Sequence, residues 1–229
     1  MKKILKTLSL LLIIVSSITV TAQSRKGVSI LGDSYSTFSG FVQPDTNRVW
    51  YGWNPKAEQT NVDNVNQTWW HLLIKENGCR LVKNNSFSGA TICNTGYKGN
   101  DYTDRSFVSR AKDLGSPDMI YVFGGTNDDW AKSPLGEFKY ADWTKDDLFQ
   151  VRPATACMLA TMIDYYPGTE IVVIINSELR PEITESLATI AKHYGLPVVR
   201  LHDIEKRAGH PTIKGMRQIA DQVAAATLR

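Results

Sequence analysis

The sequence predicts an α/β fold: a parallel sheet with helices packed on both faces, built as one domain. Short apolar runs alternate with longer amphipathic ones from residue 23 to residue 229. The run at 171–175, Ile-Val-Val-Ile-Ile, is apolar throughout, which suits a strand buried on both faces. No internal repeat or low-complexity segment interrupts the alternation.

Each element has a local reason. Residues 28–31 read as the first strand. The segment 68–76 reads as a helix that Gly78 ends. A second strand covers 80–83. The third, 118–123, lies between Pro117 and the Gly124-Gly125 pair. A helix over 155–165 stops at Pro167-Gly168, and the fourth strand follows at 171–175. The helix over 181–194 starts on Pro181, whose missing N–H costs nothing at that position. Residues 197–199 make a short fifth strand, and 212–226 the closing helix. In such sheets ligands bind outside the carboxyl ends of the strands. Three long loops leave those ends, roughly 35–66, 86–106 and 124–147. They carry Trp50, Tyr51, Trp53, Tyr97, Tyr102, Trp130 and Trp143. Loops beyond about 12–15 residues are as a rule functional or disordered, and disordered segments are poor in aromatics.

Charge narrows the partners. Lys and Arg total 26 against 23 Asp and Glu. Lys2, Lys3 and Lys6 account for the whole excess, so residues 23–229 are formally neutral. A neutral chain argues against nucleic acid or an anionic membrane as the main partner, since both need a basic patch. Residues 1–22 read as a signal peptide: a basic start, an apolar stretch at 8–15, and small residues before a cleavage point between Ala22 and Gln23. The apolar stretch is about half of the ~20 residues a span needs, and no later stretch is long enough. The expectation is one domain over 23–229, periplasmic or secreted, with no integral membrane segment. Cys79, Cys93 and Cys157 allow at most one intramolecular bridge, and whether Cys79 and Cys93 pair is open. No Cys or His pair has zinc spacing, so no metal is expected.

Four short motifs follow predicted strands or precede the last helix. Gly32-Asp33-Ser34-Tyr35-Ser36 follows strand one, where a serine hydroxyl and its own backbone N–H face the same space. Asn85-Ser86-Phe87-Ser88-Gly89-Ala90 follows strand two, with a glycine N–H free for close approach. Gly124-Gly125-Thr126-Asn127-Asp128 follows strand three and clears room around an amide donor. His210-Pro211 precedes the last helix, and histidine is the side chain suited to take and return a proton near neutral pH. Taken alone, each motif is ordinary turn or cap chemistry. His71, His193 and His202 have no motif around them. Neither Gly32 nor Gly124-Gly125 begins a phosphate-binding loop.

Together, serine, glycine, asparagine and histidine in that order resemble the SGNH hydrolase family, also called GDSL-like esterases and lipases. The resemblance covers nearly all of 23–229, most loosely at Gly89. It implies a flavodoxin-like three-layer α/β/α sandwich around a parallel five-stranded sheet. It further implies Ser34 as nucleophile and His210 as general base, with a covalent acyl-enzyme and no cofactor. The oxyanion hole would be the N–H groups of Ser34 and Gly89 and the amide of Asn127. One position departs from the family. An Asp is expected three residues before the histidine, and Arg207 stands there. Arginine accepts no hydrogen bond and cannot orient a neutral imidazole. Asp203 is the favoured substitute, Glu178 the alternative and Glu205 a weaker one; a backbone carbonyl would instead leave a Ser–His dyad.

The motifs do not name the ester. Export and aromatic loops favour a small-molecule or glycan ester, with an O-acetyl group on a carbohydrate first. Tyr35, Trp130 and Trp53 are the candidate substrate-binding residues. The alternatives are a lipase, lysophospholipase or thioesterase of the same family, or a non-catalytic glycan-binding module on the same fold.

Overall fold

A computed structural model describes residues 25–227. The expected signal segment lies outside the described residues. In chain order the strands are β1 (Gly27–Gly32), β2 (Arg80–Ser86), β3 (Met119–Gly124), β4 (Glu170–Ile175) and β5 (Val198–Arg200). They form one sheet in the order β2-β1-β3-β4-β5, with every pairing parallel. All five predicted strands are present, each within a few residues of its expected bounds.

The alternating sides of each strand feed two separate cores. Ile30, Tyr121, Phe123, Val172, Ile174 and Val199 face one side. There they meet helix α1 (Trp69–Glu76) through Trp69, Trp70 and Leu73. The closing helix α6 (Ile213–Thr227) packs on the same side through Met216, Ile219 and Val223. Leu31, Ile120, Val122, Ile171, Val173 and Ile175 face the other side. Helices α2 (Phe107–Arg110), α4 (Val151–Tyr165) and α5 (Pro181–His193) cover them. The result is the expected three-layer sandwich. Fully burying one of these large side chains contributes about 1.5–3 kcal/mol, so both cores are needed to hold the sheet.

Helix α2, one turn long, escapes sequence patterning, and so do two further elements, each too short to show a period. One is α3 (Thr126–Ala131), a single turn and a half directly after β3. The other is a hairpin of β6 (Lys206–Arg207) and β7 (His210–Pro211), which pairs Arg207 with His210. The three cysteines are free thiols, Cys93 buried and Cys79 and Cys157 partly so. Among the described residues no helix is long and apolar enough to cross a membrane, and no group of His, Cys, Asp or Glu could hold a metal ion.

Candidate active site

The carboxyl edge of the sheet gathers all four motifs. Gly32 ends β1 between Ser86 and Ser36, where a Cβ would stand 2.5 Å from the Ser86 hydroxyl. Glycine leaves the room there that a side chain would take from the two serines. Asp33 then caps a short 3-10 turn over Ser34–Ser36, its Oδ1 accepting from the Tyr35 N–H at 3.0 Å. This turn fixes the position of Ser34. The side-chain hydroxyl of Ser34 lies 2.9 Å from Nε2 of His210.

His210 reaches Ser34 because of the hairpin. Ala208 (φ 47°) and Gly209 (φ 75°) are both left-handed, as a two-residue I′ turn demands. This turn brings the Ala208 carbonyl to 3.0 Å from Nδ1 of His210. A carbonyl only accepts, so Nδ1 carries the proton and Nε2 offers its lone pair to the Ser34 hydroxyl. Two buried tyrosines clamp the hairpin from below. Tyr35 donates to the Gly209 carbonyl, and Tyr51 donates to the Pro211 carbonyl at 2.9 Å. Trp50 lies flat against the imidazole, with ring centroids 3.7 Å apart and planes 6° from parallel. Trp130 meets it edge-on at 5.8 Å.

Five expected placements are corrected here, three carboxylates and two aromatics. Asp203 does not approach His210. Its carboxylate is bonded to Nδ1 of His202 at 3.0 Å, with 92% of the side chain exposed. Glu178 is paired with Lys206 at 3.0 Å. Glu205 is held by Thr212 at 2.6 Å and by Lys214. The group on Nδ1 of His210 is the backbone carbonyl. Arg207 itself turns away and donates to the Ala57 carbonyl. Tyr35 is fully buried under the hairpin and so faces no substrate. Trp53 is exposed but packs on Phe38 and Phe41, outside the cleft. Of the candidate binding aromatics only Trp130 lines the cleft.

That cleft has a volume of about 200 Å³. Ser34, Gly89, Asn127 and His210 lie in it together with Ser88, and Arg48, Trp50, Tyr97 and Trp130 complete its walls. Each of the three long loops thus contributes. Arg48, Trp50 and Tyr97 had no motif around them, and only the aromatic richness of the loops hinted at the last two. Gly89 adopts φ 89°, a conformation that β-carbon-bearing residues avoid. Among the described residues no protein acceptor takes the N–H of Gly89 or of Ser34. Asn127 is oriented from both ends. Tyr97 donates to its Oδ1 at 2.7 Å, while its Nδ2 donates to the Ala90 carbonyl at 3.0 Å. One amide N–H remains for a ligand. Below it the Asp128 carboxylate accepts from the N–H groups of Ile92 and Cys93, tying α3 to the loop after β2.

The electrostatics follow from burial. His210 is 4% exposed, and burial lowers its pKa to about 4 despite the Ala208 carbonyl, with Lys206 adding to the depression. The imidazole is therefore neutral and competent as a base at ordinary pH. Burial raises the Asp33 carboxyl to about 7, against the Tyr35 N–H and the Arg110 guanidinium. Burial likewise lifts Asp128 to about 6, against its two backbone donors.

The arrangement gathers a hydroxyl, an imidazole with its tautomer fixed and free N–H donors around one small space. No curated protein matches this chain. The solved structure of a protein from Bacteroides ovatus, assigned to the GDSL-like lipases, is 58% identical with a TM-score of 0.87, covering 89% of this chain and 98% of that one. A similar protein from Bacteroides uniformis is 50% identical, also at 0.87, covering 90% and 96%. An acetyl xylan esterase from Butyrivibrio proteoclasticus shares the fold at 17% identity and TM-score 0.57, covering 88% of this chain and 63% of that one. A family model for GDSL-like lipases and acylhydrolases matches residues 26–227, and the chain belongs to that family.

Proposed function

We propose that this chain is an exported serine esterase that removes short acyl groups, first of all an O-acetyl group from a carbohydrate. The observation that carries the reading is the 2.9 Å contact between the Ser34 hydroxyl and Nε2 of His210 on the floor of the small cleft. The Ser34 hydroxyl attacks the ester carbonyl as its proton passes to Nε2. The negative carbonyl oxygen is held by the N–H groups of Ser34 and Gly89 and the spare amide N–H of Asn127. On collapse, the ester C–O bond breaks and Nε2 returns the proton to the leaving alcohol. Water then attacks the acyl-Ser34 ester by the same route in reverse, releasing the acid. Ser34 and His210 act as a dyad, with the Ala208 carbonyl holding the tautomer.

Size supports a short acyl group. A cleft of about 200 Å³ is smaller than the roughly 300–1,000 Å³ of sites for larger ligands. The lipase reading has the assignments of the two Bacteroides neighbours in its favour. A fatty acyl chain, however, needs a long apolar channel, and a cleft of about 200 Å³ gives it little room. For the sugar, Trp130 offers a half-exposed ring at the cleft wall, and carbohydrate esterases are built on the same fold. The test is kcat/KM on 4-nitrophenyl esters from acetate to octanoate, beside acetate release from acetylated xylan. The expected result is a steep fall beyond butanoate together with acetate released from the glycan. Equal or rising rates with octanoate would overturn the short-acyl reading.

A further inference from the structure

The esterase reading leaves one charged side chain in the cleft without a task. Arg48 lines the cleft and is exposed at its mouth. Among the described residues it has no ion pair and no side-chain hydrogen bond; its backbone carbonyl, by contrast, is firmly held. That carbonyl accepts from the Ser88 N–H at 2.8 Å, immediately before the Gly89 donor. The preceding Asn47 donates to Oδ1 of Asn85 at 3.2 Å and to the Ser86 carbonyl at 3.1 Å. The loop that carries Arg48 is therefore fastened to the end of β2, and the guanidinium projects from a fixed base.

None of the other lining residues carries a charge to balance it. Ser34, Ser88, Tyr97 and Asn127 are neutral, the imidazole is kept neutral by burial, and no acid lines the cleft. Asp33 and Asp128 lie buried beneath it. The mouth is consequently positive. An acyl group seated on the three N–H donors fills the small floor, so the alcohol half of the ester leaves by the mouth, past Arg48. A planar guanidinium pairs with oxyanions through two parallel N–H bonds.

Resting on the esterase reading, we propose that Arg48 is a specificity-determining residue that selects esters whose alcohol half carries an oxyanion. The substrate class is an acylated acidic sugar, bearing a carboxylate or a phosphate within reach of the reacting ester. The contact is made equally before and during the reaction, so it acts on KM and leaves kcat alike for charged and uncharged sugars.

The test compares acetate release from three substrates acetylated at the same hydroxyl: methyl glucuronoside, methyl glucoside and methyl glucoside 6-phosphate. For the wild-type chain, kcat/KM is expected to favour at least one of the anionic sugars over the neutral one by about tenfold, through KM. The two anionic arms tell a carboxylate from a phosphate. High salt should shrink the preference. In Arg48→Gln the ratio should fall to near one, and in Arg48→Lys to an intermediate value, since a point charge lacks the fork. A wild-type ratio near one, or a preference that survives in Arg48→Gln, would overturn the proposal. Hydrolysis of 4-nitrophenyl acetate by the wild type is read alongside. If it proceeds while the ratio is near one, only the role of Arg48 falls; if all four esters are inert, the esterase reading falls first.

Discussion

The depressed pKa of His210 makes the acid limb of the rate profile a sharp test of how the base is built. Burial lowers the imidazole to about 4, and the ring of Trp50 stacked 3.7 Å away covers one of its faces. The sign follows directly. Catalysis needs neutral Nε2, so activity is present above the folded pKa and lost as pH falls through it. At pH 5 a base of pKa about 4 is still about nine-tenths neutral, whereas free imidazole near 6.5 would be only about 3% neutral. The same shift costs stability, because the unfolded chain takes up the proton first. That cost grows between about pH 6.5 and about 4, reaching about 3 kcal/mol. Circular dichroism at each pH therefore has to accompany the rates. Trp50→Ala exposes the ring face to water, which should raise the pKa by about one unit or more and halve the relative rate at about pH 5. The assay is acetate release as kcat/KM from about pH 4 to 8, since nitrophenolate colour itself changes with pH. Asp33 and Asp128, lifted to about 7 and about 6, titrate above this limb and cannot imitate it. A limb near 4 that Trp50→Ala leaves in place, in folded protein, would refute the account.

Three further outcomes are expected. Asn127→Ala removes one oxyanion donor and should lower kcat by roughly two to three orders of magnitude; Tyr97→Phe, which only frees the amide to turn, should cost about tenfold at unchanged thermal stability. Asp203→Asn and Glu178→Gln should each leave kcat/KM within about twofold, because neither carboxylate touches His210. Gly215→Ala should be destabilising by about 3 kcal/mol or more in a denaturant titration, since its Cβ would stand 2.1 Å from the Glu205 backbone carbonyl oxygen at the start of the last helix.

What could be read from the sequence was what has a period or a fixed place in the chain. The apolar run at β4 and the amphipathic helices announced the sandwich, because burial on one face or two writes itself into spacing. Ser34, Gly89, Asn127 and His210, which meet in one cleft, could be singled out because each follows a strand end or precedes the last helix. The group behind His210 could be named only as one of several alternatives, because it is a main-chain carbonyl and leaves no letter. The only hint was Ala208-Gly209 between Arg207 and His210, a turn pair easily passed over. Asp203 is near in sequence, yet the hairpin sends it to solvent. Tyr35 and Trp53 were misplaced for a related reason: exposure of an aromatic in a loop depends on what folds over it. Trp50 and Arg48, two places apart, show the converse. Both reach the cleft from the middle of a long loop whose path only the three-dimensional packing fixes.

The central claim is that Ser34 is the nucleophile of an acyl transfer. Labelling with a fluorophosphonate, read by mass spectrometry of the digested protein beside hydrolysis of 4-nitrophenyl acetate, tests it most directly. The account predicts one adduct per chain, on the peptide containing Ser34, with hydrolysis lost in step and neither label nor activity in folded Ser34→Ala. An adduct on another residue, or hydrolysis that persists in Ser34→Ala, would contradict it.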